Sequence, residues 1–415
     1  MGLFQPHRGS PPPGECVITS IADVDVSGKR VLTRVDFNVP QDENGAITDD
    51  NRIRESLPTI RTIIKNGGIA VLMSHLGRPK GERKLKYSLR PVADRLVQLL
   101  EADGASVHFA EDCIGEAAAT AVAAAKPGDV VLLENLRFYP QEEANDADFC
   151  AALAVSGDVY CNDAFGTAHR AHASTSGVAA LFPNVCAGLL MQKELAYLGK
   201  ALDEPARPLV SVMGGSKISG KIDVISALMD KCDTILIGGG MMFTFLKAQG
   251  HNVGSSLVEE DRIDLALQLL QDATSRNVQL VLPTDTVAAR SFSNDAEQTV
   301  VSVTEIEDGW MGLDIGPETS KTYSGIIEAA GTVVWNGPMG VFEFSNFASG
   351  TRSVSDAMAK ATANGAITIV GGGDSAAAIS QFGQATHVTH VSTGGGASLE
   401  FLEGKTLPGV VALDR

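Results

Sequence analysis

No stretch of this 415-residue chain approaches 18 uninterrupted apolar residues, so nothing in it reads as a membrane span. The first residues, MGLFQPHRGSPPPGEC, lack the apolar core of a secretory signal; their Pro and Gly content suggests a short flexible extension over 1–15. Six cysteines (Cys16, Cys113, Cys150, Cys161, Cys186, Cys232) include no CxxC pair. Such scatter speaks against a disulfide framework or a zinc site and fits free thiols in a reducing cytoplasm. Basic residues are outnumbered, giving a net charge of -17, which argues against general nucleic-acid binding but leaves room for a local basic pocket. Also missing are a fixed-period repeat, a nucleophile elbow, a Ser-His-Asp order and a reactive-cysteine motif.

What is present is an alternation. With 44% apolar and 20% charged residues the chain is globular, and at this length it exceeds one simple core. Short β-rich runs at 30–35, 69–73, 130–133 and 159–162, then 209–212, 234–237, 279–282, 332–335, 367–370 and 387–391, alternate with helix-like segments such as 89–101, 261–275 and 350–364. Apolar strands alternating with helices imply parallel sheets covered on both faces. The expected fold is α/β: two similar-sized, doubly wound (Rossmann-like) parallel-sheet domains over 16–187 and 205–395. The amphipathic segment LLMQKELAYLGKAL, within 188–204, is read as a connecting helix stopped by Pro205 and Pro208.

Three glycine triplets, 238–240, 371–373 and 394–396, each follow an apolar strand in the second half. At the carboxyl ends of parallel strands such turns let a ligand approach the backbone closely. In the second triplet, GGGDS over 371–375 stands between a strand and a helix start, where free N–H groups favour an anion. Asp374 adds a carboxylate that would repel a phosphate unless a divalent cation, magnesium above all, lies between them; a glycine turn with an aspartate cap is the structural alternative. After the strand at 209–212, Gly215–Lys221 matches the G-x4-G-K half of a P-loop, but Ile222 stands where a metal-binding Ser or Thr is needed. Asp374 is then the candidate metal ligand. Lys217 and Lys221, four apart, share a face if the helix has begun there, and could neutralise neighbouring phosphates; otherwise they are solvated surface lysines.

The first half carries a basic set. Asp36 and Asn38, Arg52, His75 and Arg78, Arg137, and His169, Arg170 and His172 all fall just past strand ends. Arginine suits bidentate contacts to carboxylate or phosphate, and its recurrence at equivalent positions outweighs the reading of isolated surface salt bridges. The histidines sit among guanidiniums, a poor setting for a cation, and read as anion contacts or packing. One half thus suits a nucleotide and the other a small, highly anionic substrate, and direct phosphoryl transfer between them needs positioning and charge neutralisation rather than a nucleophile.

From about Val17 onward the motifs RVDFNVP (34–40), SHLGRP (74–79), LENLRF (ending at Phe138), NDAFGTAHRAHAS (162–174), GGSK (214–217), VWNGPMGVFE (334–343), GGGDS and STGGGASLE (392–400) closely resemble phosphoglycerate kinase. The resemblance implies reversible transfer between ATP and 3-phosphoglycerate, and a C-terminal segment, 396–415, that returns to the first domain. It implies that Asp36, Asn38, Arg52, His75, Arg78, Arg137 and Arg170 hold 3-phosphoglycerate. For the nucleotide it implies Gly215, Lys217, Lys221, Gly238, Gly239, Gly312, Leu313, Asn336, Glu343, Gly372, Gly373, Asp374 and Ser375, with Asp374 on Mg2+. Arg52, Lys217, Gly373 and Gly396 would serve the transfer itself. Small-molecule substrates, a cytoplasmic location and a monomer are the family expectation. Ser216 and Ser375 stand where the family commonly has Ala and Thr. A binding scaffold that has lost catalysis would be expected to lack Lys217, Asp374 or Arg52. A nicotinamide dehydrogenase would need a glycine fingerprint in the first βα turn, which here is DFNVP.

Overall fold

The computed structural model describes residues 18–414; the extension expected over 1–15, and Cys16, lie outside the described residues. Contacts divide the chain into two units: one runs to Lys193 and resumes at Thr406, and the other is Glu194–Lys405.

The first unit is built on β1 (Arg30–Arg34), β2 (Ile69–Met73), β3 (Val107–Phe109), β4 (Val130–Leu132), β5 (Val159–Asn162) and β6 (Val185–Ala187). All pair in parallel, in the spatial order β3-β4-β2-β1-β5-β6. Every residue of β2, β4 and β5 is buried, because helices cover both faces of a parallel sheet. Helix Asn51–Lys65 buries Ile53, Leu57, Ile60 and Ile64, one per turn, and joins Val31, Phe37 and Leu96 in the core. Chain order reverses between β1 and β5, the crevice where open α/β sheets bind ligands.

The second unit contains a parallel sheet of β7 (Leu209–Met213), β8 (Thr234–Ile237), β9 (Gln279–Val281), β13 (Thr332–Asn336), β14 (Ile367–Gly371) and β15 (His390–Val391), ordered β15-β14-β13-β7-β8-β9. Its reversal falls between β7 and β13. Beside it lies an antiparallel sheet of β10 (Asp285–Ala289), β11 (Gln298–Ser302) and β12 (Met311–Ile315), with β10 central. The sequence pattern does not announce this sheet: β11 is largely exposed, and β12 carries Gly312 and Asp314. Doubly wound α/β units with parallel six-stranded sheets are as expected from the sequence.

The connecting helix spans Leu189–Asp203, and the division between units falls inside it at 193/194. The return to the first unit begins at Thr406, not at 396. Helix Gly396–Leu402 buries Ala397, Ser398 and Leu402 and packs on helix Ile222–Leu228, which keeps 396–405 in the second unit. The returning segment buries Leu407 and Leu413; Gly409 N donates to Ala168 O at 2.8 Å, and Asn162 Nδ2 donates to Gly409 O at 3.3 Å.

Candidate functional site

In the first unit the loops after β1, β2, β4 and β5 bring charged side chains to one sheet edge. Arg52, on the first turn of helix Asn51–Lys65, pairs with the Asp36 carboxylate. Burial alone would raise Asp36, but the charges of Arg52 and Arg34 outweigh it and hold the carboxyl at about 2. His75 is buried, and its Nδ1 lies 3.1 Å from Arg34 Nη2. A guanidinium only donates, so Nδ1 accepts and the ring is neutral with its proton on Nε2. Burial drives His75 well below its ordinary pKa, the charges of Arg34, Arg137 and Arg52 add to this, and only Asp36 opposes. The 3.9 Å approach of His75 Nδ1 to Asp36 is therefore not an ion pair. Asn38 Oδ1 accepts from Gly77 N at 2.8 Å, and buried Arg137 donates to Gly77 O at 2.9 Å, so two of the expected residues grip the same turn. His172, partly buried, is pushed down to about 4 by burial and by Arg137, Arg34 and Arg170. Burial first and the neighbouring guanidiniums second thus disfavour the charged form of both imidazoles. Arg78 is exposed and has no hydrogen-bond or ion-pair partner among the described residues.

Sequence reasoning did not single out Arg34, the last residue of β1, which is 1% exposed. Its Nε donates to Ser174 Oγ at 2.8 Å, and Ser174 in turn donates from Oγ and N to buried Glu142 at 2.5 and 3.0 Å. Burial raises the Glu142 carboxyl, while Arg34 and Ser174 oppose the rise. The chain Glu142–Ser174–Arg34–His75 fixes the floor of the basic cluster from behind.

In the second unit the β7 and β13 ends meet at the reversal point. Lys221 Nζ donates to Asn336 O and Oδ1, each at 2.7 Å. Burial pushes this ammonium down to about 7, with Asp374 opposing. Because Asn336 Oδ1 accepts from lysine, Nδ2 is left as a buried donor with no partner among the described residues. It lies beside Gly372, whose φ of +90° only glycine adopts readily. Gly373 opens the helix Gly373–Gln381, and Asp374 is exposed in its first turn. Ser375 points inward instead: its Oγ accepts from Gly337 N at 2.6 Å and braces the β13 turn. The two lysines do not share a helical face, because the helix starts only at Ile222; Lys217 stays exposed on the preceding loop while Lys221 folds inward.

A cavity of about 480 Å³ opens beside this cradle, lined on one side by Gly215, Gly239, Gly240 and Asp374 and on the other by Gly312, Leu313 and Glu343. Gly238 is buried at the end of β8 and does not line it. Met242, Phe243, Met339 and Phe292 also line the cavity, and Phe292, 63% exposed, packs on Phe344 with ring centroids 5.1 Å apart. None of these four was singled out from the sequence: Met242 and Phe243 open the helix Met242–Ala248 after β8, Phe292 follows β10 and Met339 follows β13. Gly396 is exposed at the start of its helix, past β15, which neighbours β14 at the same sheet edge. Among the described residues no group of three or more His, Cys, Asp or Glu could hold a metal by itself. A single carboxylate beside a phosphate cradle is nevertheless what a nucleotide-borne magnesium uses, since it keeps most of its ligands from phosphate and water. No helix among the described residues is long and apolar enough to cross a membrane.

Doubly wound units with charged groups and glycine turns gathered at the carboxyl edges of their sheets define an α/β enzyme of the phosphate-handling class. The family model for phosphoglycerate kinase matches residues 21–405. The phosphoglycerate kinases of Chlorobium chlorochromatii and Chlorobaculum tepidum are each 58% identical over 395 residues, covering 95% of this chain and 99% of theirs. The solved phosphoglycerate kinase of Coxiella burnetii is 42% identical with a TM-score of 0.84, covering 96% of this chain and 98% of that one. That of Pyrococcus horikoshii OT3 is 32% identical with a TM-score of 0.84, over 95% and 98%. The chain belongs to the phosphoglycerate kinase family.

Proposed function

We propose that this enzyme catalyses reversible, magnesium-dependent phosphoryl transfer between ATP and the carboxylate of 3-phosphoglycerate, giving ADP and 1,3-bisphosphoglycerate. The observation that carries the reading is the unspent, buried Asn336 Nδ2 beside the half-buried Lys221 amine, a donor pair that suits an anion. The adenosine fits the cavity walled by Gly312 and Leu313, with Glu343 at the ribose. The phosphates meet Lys221, Asn336 and the Gly372–Gly373 turn, and Asp374 takes the magnesium that the nucleotide brings. The acid substrate sits on Arg137, Arg170, Arg78, Asn38 and His75, with Asp36 orienting Arg52 toward the reacting carboxylate.

A carboxylate oxygen of 3-phosphoglycerate attacks the γ-phosphorus in line; the bond to the β,γ-bridging oxygen breaks, and its electron pair leaves with ADP. No proton moves, so no general base is required. Lys217, exposed on its loop, neutralises the passing phosphoryl group together with Arg52 and the N–H groups of Gly373 and Gly396. Hinge bending brings the bound ligands together and excludes water, which would otherwise hydrolyse the acyl phosphate. A coupled assay with ATP, 3-phosphoglycerate and magnesium tests this: turnover is expected, lost with chelator and restored by excess magnesium. Arg52→Ala is expected to lower kcat while ADP binding survives; absence of turnover in the parent enzyme overturns the reading.

A further inference from the structure

The loop carrying Lys217 runs from the end of β7 to the helix at Ile222; Gly215 is held to Pro338 O at its start and a turn bond from Lys221 N to Ile218 O closes its end, but no backbone hydrogen bond among the described residues reaches Ser216 or Lys217 between them. One side chain supplies what the backbone does not. Glu259 Oε2 accepts from Ile218 N at 2.6 Å and from Ser219 N at 3.1 Å, and Oε1 accepts from Ser219 Oγ at 2.6 Å. Both residues following Lys217 are thereby tied to a single carboxylate. Glu259 is itself anchored, because its backbone N donates to Thr244 Oγ1 at 3.2 Å, and Thr244 is buried. The Glu259 segment also carries Ser255 and Leu257, which line the nucleotide-sized cavity. Burial would raise the Glu259 carboxyl, but the Ser219 hydroxyl, the two amides and the charge of Lys217 hold it below its ordinary value. So the clamp is ionised at neutral pH and accepts all three bonds.

We propose that Glu259 is a positioning residue for Lys217: it fixes the loop so that the ammonium is delivered to the transferring phosphoryl group, and it links that placement to the wall of the nucleotide cavity. This rests on the role given to Lys217 above. Lys217 has no hydrogen-bond or ion-pair partner among the described residues, so its position depends on the backbone that bears it. Loosening that backbone disperses the charge over many positions without removing it, an effect felt in the transition state more than in ground-state binding.

The test is a kinetic cycle on the full chain, with ATP and 3-phosphoglycerate as substrates. Glu259→Ala is expected to lower kcat about 10-fold or more while the KM for ATP moves less than about 3-fold. Glu259→Gln, which keeps an acceptor for the amides and a polar partner for Ser219, is expected to recover most of kcat. The double variant with Lys217→Ala is expected to be no slower than Lys217→Ala alone, because Glu259 acts through that lysine. If Lys217→Ala slows the enzyme and Glu259→Ala does not, or if the two losses multiply, the clamp is wrong. An unchanged kcat in Lys217→Ala overturns the lysine's role instead. Thermal midpoints of the single variants separate a folding defect, in which Glu259→Ala loses stability with kcat per folded molecule unchanged; that result also overturns the proposal.

Discussion

A single methyl group at Gly214 tests whether the β7 and β13 turns must touch for the nucleotide site to exist. A Cβ there would stand 2.1 Å from Pro338 O, 2.4 Å from Met339 Cε and 2.5 Å from Gly337 O. The methionine tip can swing away, but the two carbonyls belong to the backbone. To make room, the turns must part, which stretches the bonds from Gly214 N to Asn336 O (2.9 Å) and from Gly215 N to Pro338 O (2.8 Å). Overpacking of this kind costs about 1–3 kcal/mol, and two weakened hydrogen bonds add about 1 kcal/mol each. For a unit of roughly 200 residues, a loss of about 3–5 kcal/mol lowers the unfolding midpoint by roughly 6–20 °C. Asn336 O also receives Lys221 Nζ, so ADP affinity should fall about 10-fold or more in parallel. Gly220, in the same loop, provides the contrast: a Cβ there meets nothing within 4 Å, and its φ is not positive. Gly220→Ala should be neutral or stabilising by up to about 1 kcal/mol. Scanning calorimetry and an ADP titration read both variants. A Gly214→Ala protein that melts within about 2 °C of the parent, or a Gly220→Ala protein equally damaged, refutes the steric reasoning.

Three further outcomes are expected. Lys221 is depressed from its ordinary 10.5 to about 7, so between those values the unfolded chain binds the extra proton and stability rises with pH; urea midpoints at pH 7 and 9 should show that rise in the parent and not in Lys221→Met. Glu142→Ala leaves Ser174 without its buried acceptor and Arg34 without the nearby negative charge, and should cost about 3–5 kcal/mol in urea unfolding and raise the KM for 3-phosphoglycerate; unchanged unfolding would refute a structural role for the network. Asp374→Asn should raise the magnesium concentration needed for half-maximal turnover about 10-fold or more while nucleotide binding without metal persists, and equal magnesium dependence would exclude this carboxylate as the ligand.

Much of the framework was legible because parallel strands, buried on both faces, leave unbroken apolar runs. The runs at 69–73, 159–162 and 234–237 coincide with β2, β5 and β8 residue for residue. The GGGDS segment likewise forms the expected strand, turn and helix start, with Asp374 exposed at the cavity. What was not legible depends on tertiary burial. Spacing alone offered Lys217 and Lys221 as neighbours only if a helix had begun there; the chain delays that helix to Ile222 and draws only Lys221 inward. Ser375, placed among the nucleotide residues by the resemblance, is buried and braces Gly337. Arg34 sits inside a strand motif, where its charge gives no sign of being the floor of a pocket. The short β3 and β6 and the antiparallel β10–β12 lack long apolar runs, so the strand pattern did not show them, and Gly312 and Leu313 of β12 were reached only through the family resemblance.

The return of the chain at Thr406 has a consequence for biosynthesis. The second unit is one uninterrupted stretch and can fold as soon as it leaves the ribosome. The first unit emerges earlier, but Leu407, Gly409 and Leu413, which complete its packing around Asn162 and Ala168, are translated only after the whole second unit. The part of the protein made first is therefore finished after the second, and a chain halted just before Thr406 would carry a complete second unit beside an incomplete first one.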